Sequence, residues 1–252
     1  MHSEVGPIDT TQHPDRRLSV YLLGTIGTDE MLRWQRRLVY DVSGEPESSG
    51  VLVLCEHPPQ LSLGRTACRT QIALSEDQLT ARALPLDWVA RGGGLWRFAP
   101  GQVVGYSILS LSALELAPAA YVAKLSRMLH RVVADLVPAV EIDERKPGLT
   151  IRGRRVAQIG VAVRHGIASF GFVLNVRPDL ELWRNLACEG DLRPVTSLQR
   201  ECRAIVRPGA VRQRLIEVYA EVFGFAELSP FQHHPAVPRI IHRHASFASR
   251  SE

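Results

Sequence analysis

The chain has 252 residues, 45% hydrophobic and 22% charged, with a formal charge of +4 at pH 7. A chain of that length builds a core that buries roughly three quarters of its unfolded surface, without disulfide or metal staples. No apolar run approaches the ~20 residues of a bilayer span, and the first 17 residues lack the apolar centre of an export signal.

Residues 1–17 show no apolar periodicity and read as a flexible lead-in. The pattern starts with a strand at Leu18–Leu23. A helix is expected from Thr28 to about Val42, with acids in its first turn and Met31, Leu32, Leu38, Val39 and Val42 at helical spacing. Val51–Cys55 is a continuous apolar run between turn signals, hence a buried strand, and Gln60–Leu63 a short second one. Ser75 and Gln78 have the spacing of a capping box before a short helix.

Strands at Leu86–Ala90 and Leu95–Phe98 flank Arg91, Gly92, Gly93 and Gly94, and a third at Val103–Leu109 follows the Pro100–Gly101 turn. Tyr121, Leu125, Met128, Leu129, Val132 and Leu136 then recur at helical spacing. Strands follow at 139–142, 148–151, 154–164 and 167–176. A last helix opens at Pro208, buries Val211, Leu215, Val218, Tyr219 and Val222, and ends on Gly224 as its C-cap. Beyond Leu228 the pattern stops, and 229–252 reads as a disordered His-rich tail. The expectation is one α/β (α+β) domain over 18–228, its mixed and largely antiparallel sheet flanked by helices.

Cys55, Cys68, Cys188 and Cys202 contain no CxxC pair, so neither a zinc site nor a redox pair is indicated, and no metal or cofactor is expected. With no export signal they read as reduced cytoplasmic thiols. The basic excess is carried by arginine, since Lys124 and Lys146 are the only lysines. It favours an acidic partner but is too mild and dispersed to mark nucleic-acid binding. The glycine run at 92–94 suits close backbone approach to a ligand and equally a plain hairpin turn; GxGxxG and Gly-Lys-Ser/Thr are both absent. Arg154 and Arg155, on one strand, point to opposite faces. Cys188, past a short amphipathic segment, fits an exposed nucleophile or an inert structural thiol.

Taken in order, five segments resemble the lipoyl(octanoyl) transferase family, within the biotin/lipoate protein ligase fold. They are Cys55–Arg65 (CEHPPQLSLGR), Arg91–Gln102 (RGGGLWRFAPGQ), Val156–Gly160 (VAQIG), Gly171–Asn175 (GFVLN), and Cys188 with Thr196–Leu198 (TSL). The resemblance implies transfer of an octanoyl group from acyl carrier protein to a cysteine, then to a lysine of a lipoyl-domain protein. It places the acyl-thioester nucleophile at Cys188 and the family's catalytic lysine at Arg155. It assigns substrate binding to Arg91, Gly92, Gly93, Gly94, Phe98, Gln158, Ile159, Gly160, Gly171, Phe172 and Val173. The implied enzyme is a cytoplasmic monomer with two acidic protein partners.

The departures sit at the chemistry. Arg155 replaces the lysine, Phe98 and Phe170 stand where the family carries histidines, and Ala187-Cys188-Glu189 replaces Pro-Cys-Gly. A free thiol is only about 3% thiolate at pH 7, and a neighbouring arginine raises that fraction as a lysine does. Arginine does not release a proton, however, so it is no base for the incoming amine. Glu189 is open to three roles: raising the Cys188 thiol pKa, pairing with Arg155, or acting as the missing base. Two further readings stay open at this point. One is a catalytically impaired homologue that binds acyl group, acyl carrier protein or lipoyl domain; the other, an ATP-dependent ligase, lacks a suitably placed lysine.

Overall fold

The computed structural model describes residues 13–46, 49–181 and 194–232. Cys188, Glu189 and the histidines of the tail therefore lie outside the described residues. Eleven strands and five helices are seen among those described, and we number them in chain order. The strands are β1 (His13–Thr25), β2 (Ser49–Glu56), β3 (Gln60–Leu63), β4 (Leu86–Trp88), β5 (Leu95–Phe98), β6 (Gln102–Ser110), β7 (Val140–Ile142), β8 (Gly148–Ile151), β9 (Arg154–Arg164), β10 (Ile167–Asn175) and β11 (Phe225–Phe231). The helices are α1 (Thr28–Gly44), α2 (Glu76–Ala81), α3 (Pro118–Ala134), α4 (Leu198–Glu201) and α5 (Pro208–Phe223).

Eight strands form one sheet in the order β11-β1-β2-β6-β10-β9-β8-β7. β1 runs parallel to both β11 and β2, while every pairing from β2 to β7 is antiparallel. The mixed, largely antiparallel sheet read from the pattern is present. A second sheet of three strands, β4-β3-β5, was not separable from it in sequence. β1 starts at His13, five residues before the apolar pattern, and Arg17 sits opposite Glu227 of β11.

The period of two along the strands sorts side chains into two cores. On β6, Val103 and Leu109 join the core under α3 and α5, whereas Val104, Tyr106 and Ile108 face α1. α1 buries Met31, Trp34, Gln35, Leu38 and Val42 at helical spacing. α3 and α5 meet through Tyr121 and Phe223, with ring centroids 5.7 Å apart. The Ser107 hydroxyl sits between the Tyr121 and Tyr219 hydroxyls, and so satisfies three polar groups inside that core. Two local signals read from sequence are also seen: Ser75 and Gln78 form a capping box, and Gly224 ends α5 at φ 73°. No helix of the described residues is long and apolar enough to cross a membrane.

Candidate active site

The glycine run packs between the two sheets. Gly92 N–H donates to the Val161 carbonyl of β9 at 2.8 Å, Gly64 N–H to Gly94 O at 3.1 Å, and Arg65 N–H to Arg91 O at 2.9 Å. Such approach requires bare backbone: a Cβ at Gly160 would lie 2.6 Å from Gly92 O, and Gly93 sits at φ +80°. Gln158, on the same face of β9 as Gly160, donates from Nε2 to Leu95 O at 3.2 Å. Ile159 between them points the other way, into the core under α3 and α5.

Arg91 is turned inward and only 1% exposed. Its guanidinium donates to Ser62 O at 2.7 Å and Gly94 O at 3.0 Å, and lies 3.8 Å over the Trp96 ring. Burial pushes its pKa down to about 9, so it stays cationic at neutral pH. The side chain thus holds the loop's own backbone in shape. No carboxylate among the described residues is within ion-pair distance of it.

Beside this loop lies a narrow cleft with room for about one water molecule, walled by Trp96, Phe98, Tyr106 and Phe170. Both phenylalanines at the family's histidine positions therefore face one space. A histidine does stand behind them. His57 is fully buried, edge-on to Phe98 with centroids 4.7 Å apart. Its Nδ1 is 2.7 Å from Ile26 O and its Nε2 is 2.9 Å from the Tyr106 hydroxyl. Burial lowers its pKa to about 4, so the ring is neutral: Nδ1–H donates to Ile26 and Nε2 accepts from Tyr106. Sequence reading quoted His57 within a motif without giving it a role; the motif was its only signal.

Phe170 has a left-handed backbone, φ 60°, and its N–H donates to Gln35 Oε1 of α1 at 2.9 Å. Ile167 and Val173 face the α1 side by the alternation of β10, and the twist turns Phe170, which that alternation would send the other way, to the same side. Phe172 is not brought to the cleft. Its ring lies over Gly105 in the opposite core, fully buried, while Gly171 fits against the Gly105 backbone.

A polar network joins the remaining segments. Gln102 Nε2 donates to Asn175 Oδ1 at 2.9 Å, and Asn175 Nδ2 donates to Thr196 O at 3.1 Å. Thr196 N–H donates to Arg155 O at 2.9 Å, and Arg155 N–H to Pro194 O at 2.8 Å. Residues far apart in the chain thus converge on Pro194 and Thr196. The Arg155 guanidinium donates to Asp143 Oδ2 at 3.0 Å, with both side chains nearly buried. Asp143 Oδ1 accepts from the N–H groups of Arg145 and Lys146 at 3.0 and 3.3 Å. Asp143 went unnoticed in sequence, because its turn carries no motif and the pairing spans two strands. The described residues contain no cluster of His, Cys, Asp and Glu that would hold a metal.

The chain matches the lipoyl protein ligase A/B catalytic domain over residues 28–220. It is 34% identical to the octanoyltransferase of Acidobacterium capsulatum over 82% of this chain and 89% of that one. With the octanoyltransferase of Desulfotalea psychrophila the identity is 34% over 68% and 78%. Among solved structures, a bi-partite lipoate protein ligase from Thermoplasma acidophilum superposes with a TM-score of 0.65 at 16% identity, covering 88% and 87% of the two chains. Lipoate-protein ligase A bound with ATP gives 0.64 at 16% identity over 88% and 90%, a likeness of fold alone. The chain therefore belongs to the lipoyl protein ligase A/B catalytic-domain family and, within it, to the octanoyltransferases.

Proposed function

We propose that this protein is an octanoyl-[acyl-carrier-protein]:protein N-octanoyltransferase that works through a thioester on Cys188. The observation that supports the reading is the convergence of Gln102, Asn175 and Arg155 on Pro194 and Thr196, which follow Cys188 closely in the sequence. Pro194, six positions after Cys188 in the sequence, is bonded to the Arg155 backbone. In the first half-reaction the Cys188 thiolate attacks the carrier's thioester carbonyl; a new C–S bond forms and the carrier thiol leaves. In the second, the neutral amine of a lipoyl-domain lysine attacks, the C–N bond forms, the C–S bond breaks with Cys188 leaving as thiolate, and the proton lost by nitrogen passes to solvent.

Arg155 supplies fixed positive charge that favours the thiolate. It does not take the proton from the attacking amine. Asp143 holds the guanidinium in one orientation, which makes it a positioning residue in this scheme. Both proposed protein substrates are acidic, in keeping with the charge of +4. Free thiols at Cys55, Cys68 and Cys202 fit a cytoplasmic location, and we take the enzyme to act as a monomer.

One observation favours a second reading. The cleft at Phe98 and Phe170 is closed down to about the size of a water, with no histidine at either position. That suits a homologue which binds the partners without transferring. Intact-protein mass after incubation with octanoyl-acyl carrier protein separates the two. The transferase reading requires an octanoyl adduct on wild type, absent in Cys188→Ser, that is chased onto an apo lipoyl domain. No adduct, with the carrier intact, overturns it.

A further inference from the structure

We propose that the loop between α4 and α5 is the docking surface for the acidic acyl-donor carrier, an assignment that rests on the octanoyl-transfer reading above. Ile205 at its tip is 82% exposed, the largest exposure of any bulky apolar side chain described. Leu136 is 43% exposed beside the same loop, where the Cys202 thiol lies 3.7 Å from its carbonyl. Arg200, Arg203 and Arg207 stand exposed around Ile205. No described carboxylate is within ion-pair distance of these three arginines; the nearby Glu201 is held by Arg152 and Arg154, and Asp135 by Arg214.

The loop is held in a fixed shape. The Gln199 side chain accepts from Val206 N–H at 3.0 Å and donates to Ala204 O at 3.3 Å, bracketing Ile205. Gln199 N–H in turn donates to Val176 O at 2.9 Å, just past the end of β10. An apolar tip with three exposed arginines within five positions of it in the chain, on a loop held by Gln199, suits an acidic protein surface with a small apolar recess. A pre-shaped loop also limits the ordering entropy lost on association.

The position favours the donor over the acceptor. Glu201 takes the outward-facing Arg154, whereas Asp143 takes Arg155 on the other face of β9. A partner seated on the loop is thus offset from the Arg155 side. A carrier that presents its acyl group on a long flexible arm spans such an offset, but a lipoyl-domain lysine must be seated directly over the reacting carbon.

The test is fluorescence anisotropy of dye-labelled holo-acyl carrier protein titrated with the full-length protein at low and at physiological salt. Arg203→Glu/Arg207→Glu and, separately, Ile205→Asp should each weaken binding by about tenfold or more, with the salt dependence flattened in the double variant. Arg203→Gln/Arg207→Gln should fall between, and unchanged melting temperatures guard against misfolding. Carrier binding that is absent in wild type, or unchanged in all variants, overturns the proposal. So does an equal or larger loss of apo lipoyl-domain binding, which would make the loop the acceptor's surface. Wild type that binds the carrier through this loop yet forms no octanoyl adduct refutes the transferase reading and leaves the surface standing.

Discussion

Acidification should destabilise this fold through one buried ring. His57 holds its neutral form because burial pushes its pKa down to about 4, against about 6.5 for an exposed histidine. The unfolded chain therefore binds a proton between those two values that the folded chain refuses. His57's contribution is fully present above pH 6.5 and is lost as the pH falls toward 4. Integrated from pH 7 to pH 5, the loss is about 2 kcal/mol, a sizeable share of a typical 5–15 kcal/mol stability. Urea unfolding followed by circular dichroism should show the midpoint falling by roughly 1 M over that range. Other groups titrate too, so the decisive comparison is with His57→Gln, which loses the ring. That variant should be less stable at pH 7 but lose about 2 kcal/mol less on going to pH 5. Equal losses in the two proteins would refute the account of a neutral ring bonded between Ile26 and Tyr106.

Three further outcomes are expected. Asp143→Ala removes the carboxylate from a nearly buried Arg155 and should cost about 3–5 kcal/mol by chemical denaturation; a loss under about 1 kcal/mol would contradict the pairing. Arg155→Lys should raise octanoyl transfer to a lipoyl domain, most clearly above pH 8, because Asp143 favours the charged amine and raises its pKa; no gain at any pH would count against proton transfer as the defect. Gly160→Ala places a Cβ 2.6 Å from Gly92 O and should displace the glycine loop, lowering stability by about 1–3 kcal/mol and slowing transfer; wild-type melting and rate would contradict the close packing.

The legible parts of this molecule were those where local chemistry demands a particular residue. Ser75 with Gln78, and Gly224 at φ 73°, announce helix ends because few residues satisfy those backbones. The glycine run at 92–94 was open between close approach to a ligand and a plain hairpin turn; in the fold Gly92 packs on the Val161 backbone, and Gly160, marked in sequence only by its motif, packs on Gly92. The β4-β3-β5 sheet was not readable as separate, since period two marks a strand but not its neighbour. Phe172 was grouped with the substrate segment by its place in a motif, yet the alternation of β10 places it with Ala168 and Leu174 in the opposite core, and only the left-handed Phe170 departs from that alternation toward the α1 side. One backbone angle, with no sequence signal at a phenylalanine, turns Phe170 toward the cleft.

The same logic explains why the departures from the family pattern read as loss in sequence and less so in three dimensions. By the resemblance, Phe98 and Phe170 stand at histidine positions of the family and Arg155 at its lysine position. In the fold, Phe98 lies edge-on to the His57 imidazole, Phe170 lies beside Tyr106, and the hydroxyl of Tyr106, a residue lining the cleft, is bonded to that imidazole. Arg155 is met by a carboxylate that takes one of its donors and fixes its orientation. A buried guanidinium loses most of its freedom only when such a partner sits opposite, and a charge so fixed is useful for favouring a thiolate and useless for moving a proton. The substitutions therefore divide the two half-reactions unequally. Under the Cys188 thioester mechanism proposed above, acylation requires only the charge, while transfer to the amine requires a base that Arg155 does not provide. An octanoyl adduct that forms quickly and is discharged slowly onto the lipoyl domain is the kinetic signature of that division. Rapid discharge would mean that another group takes the proton.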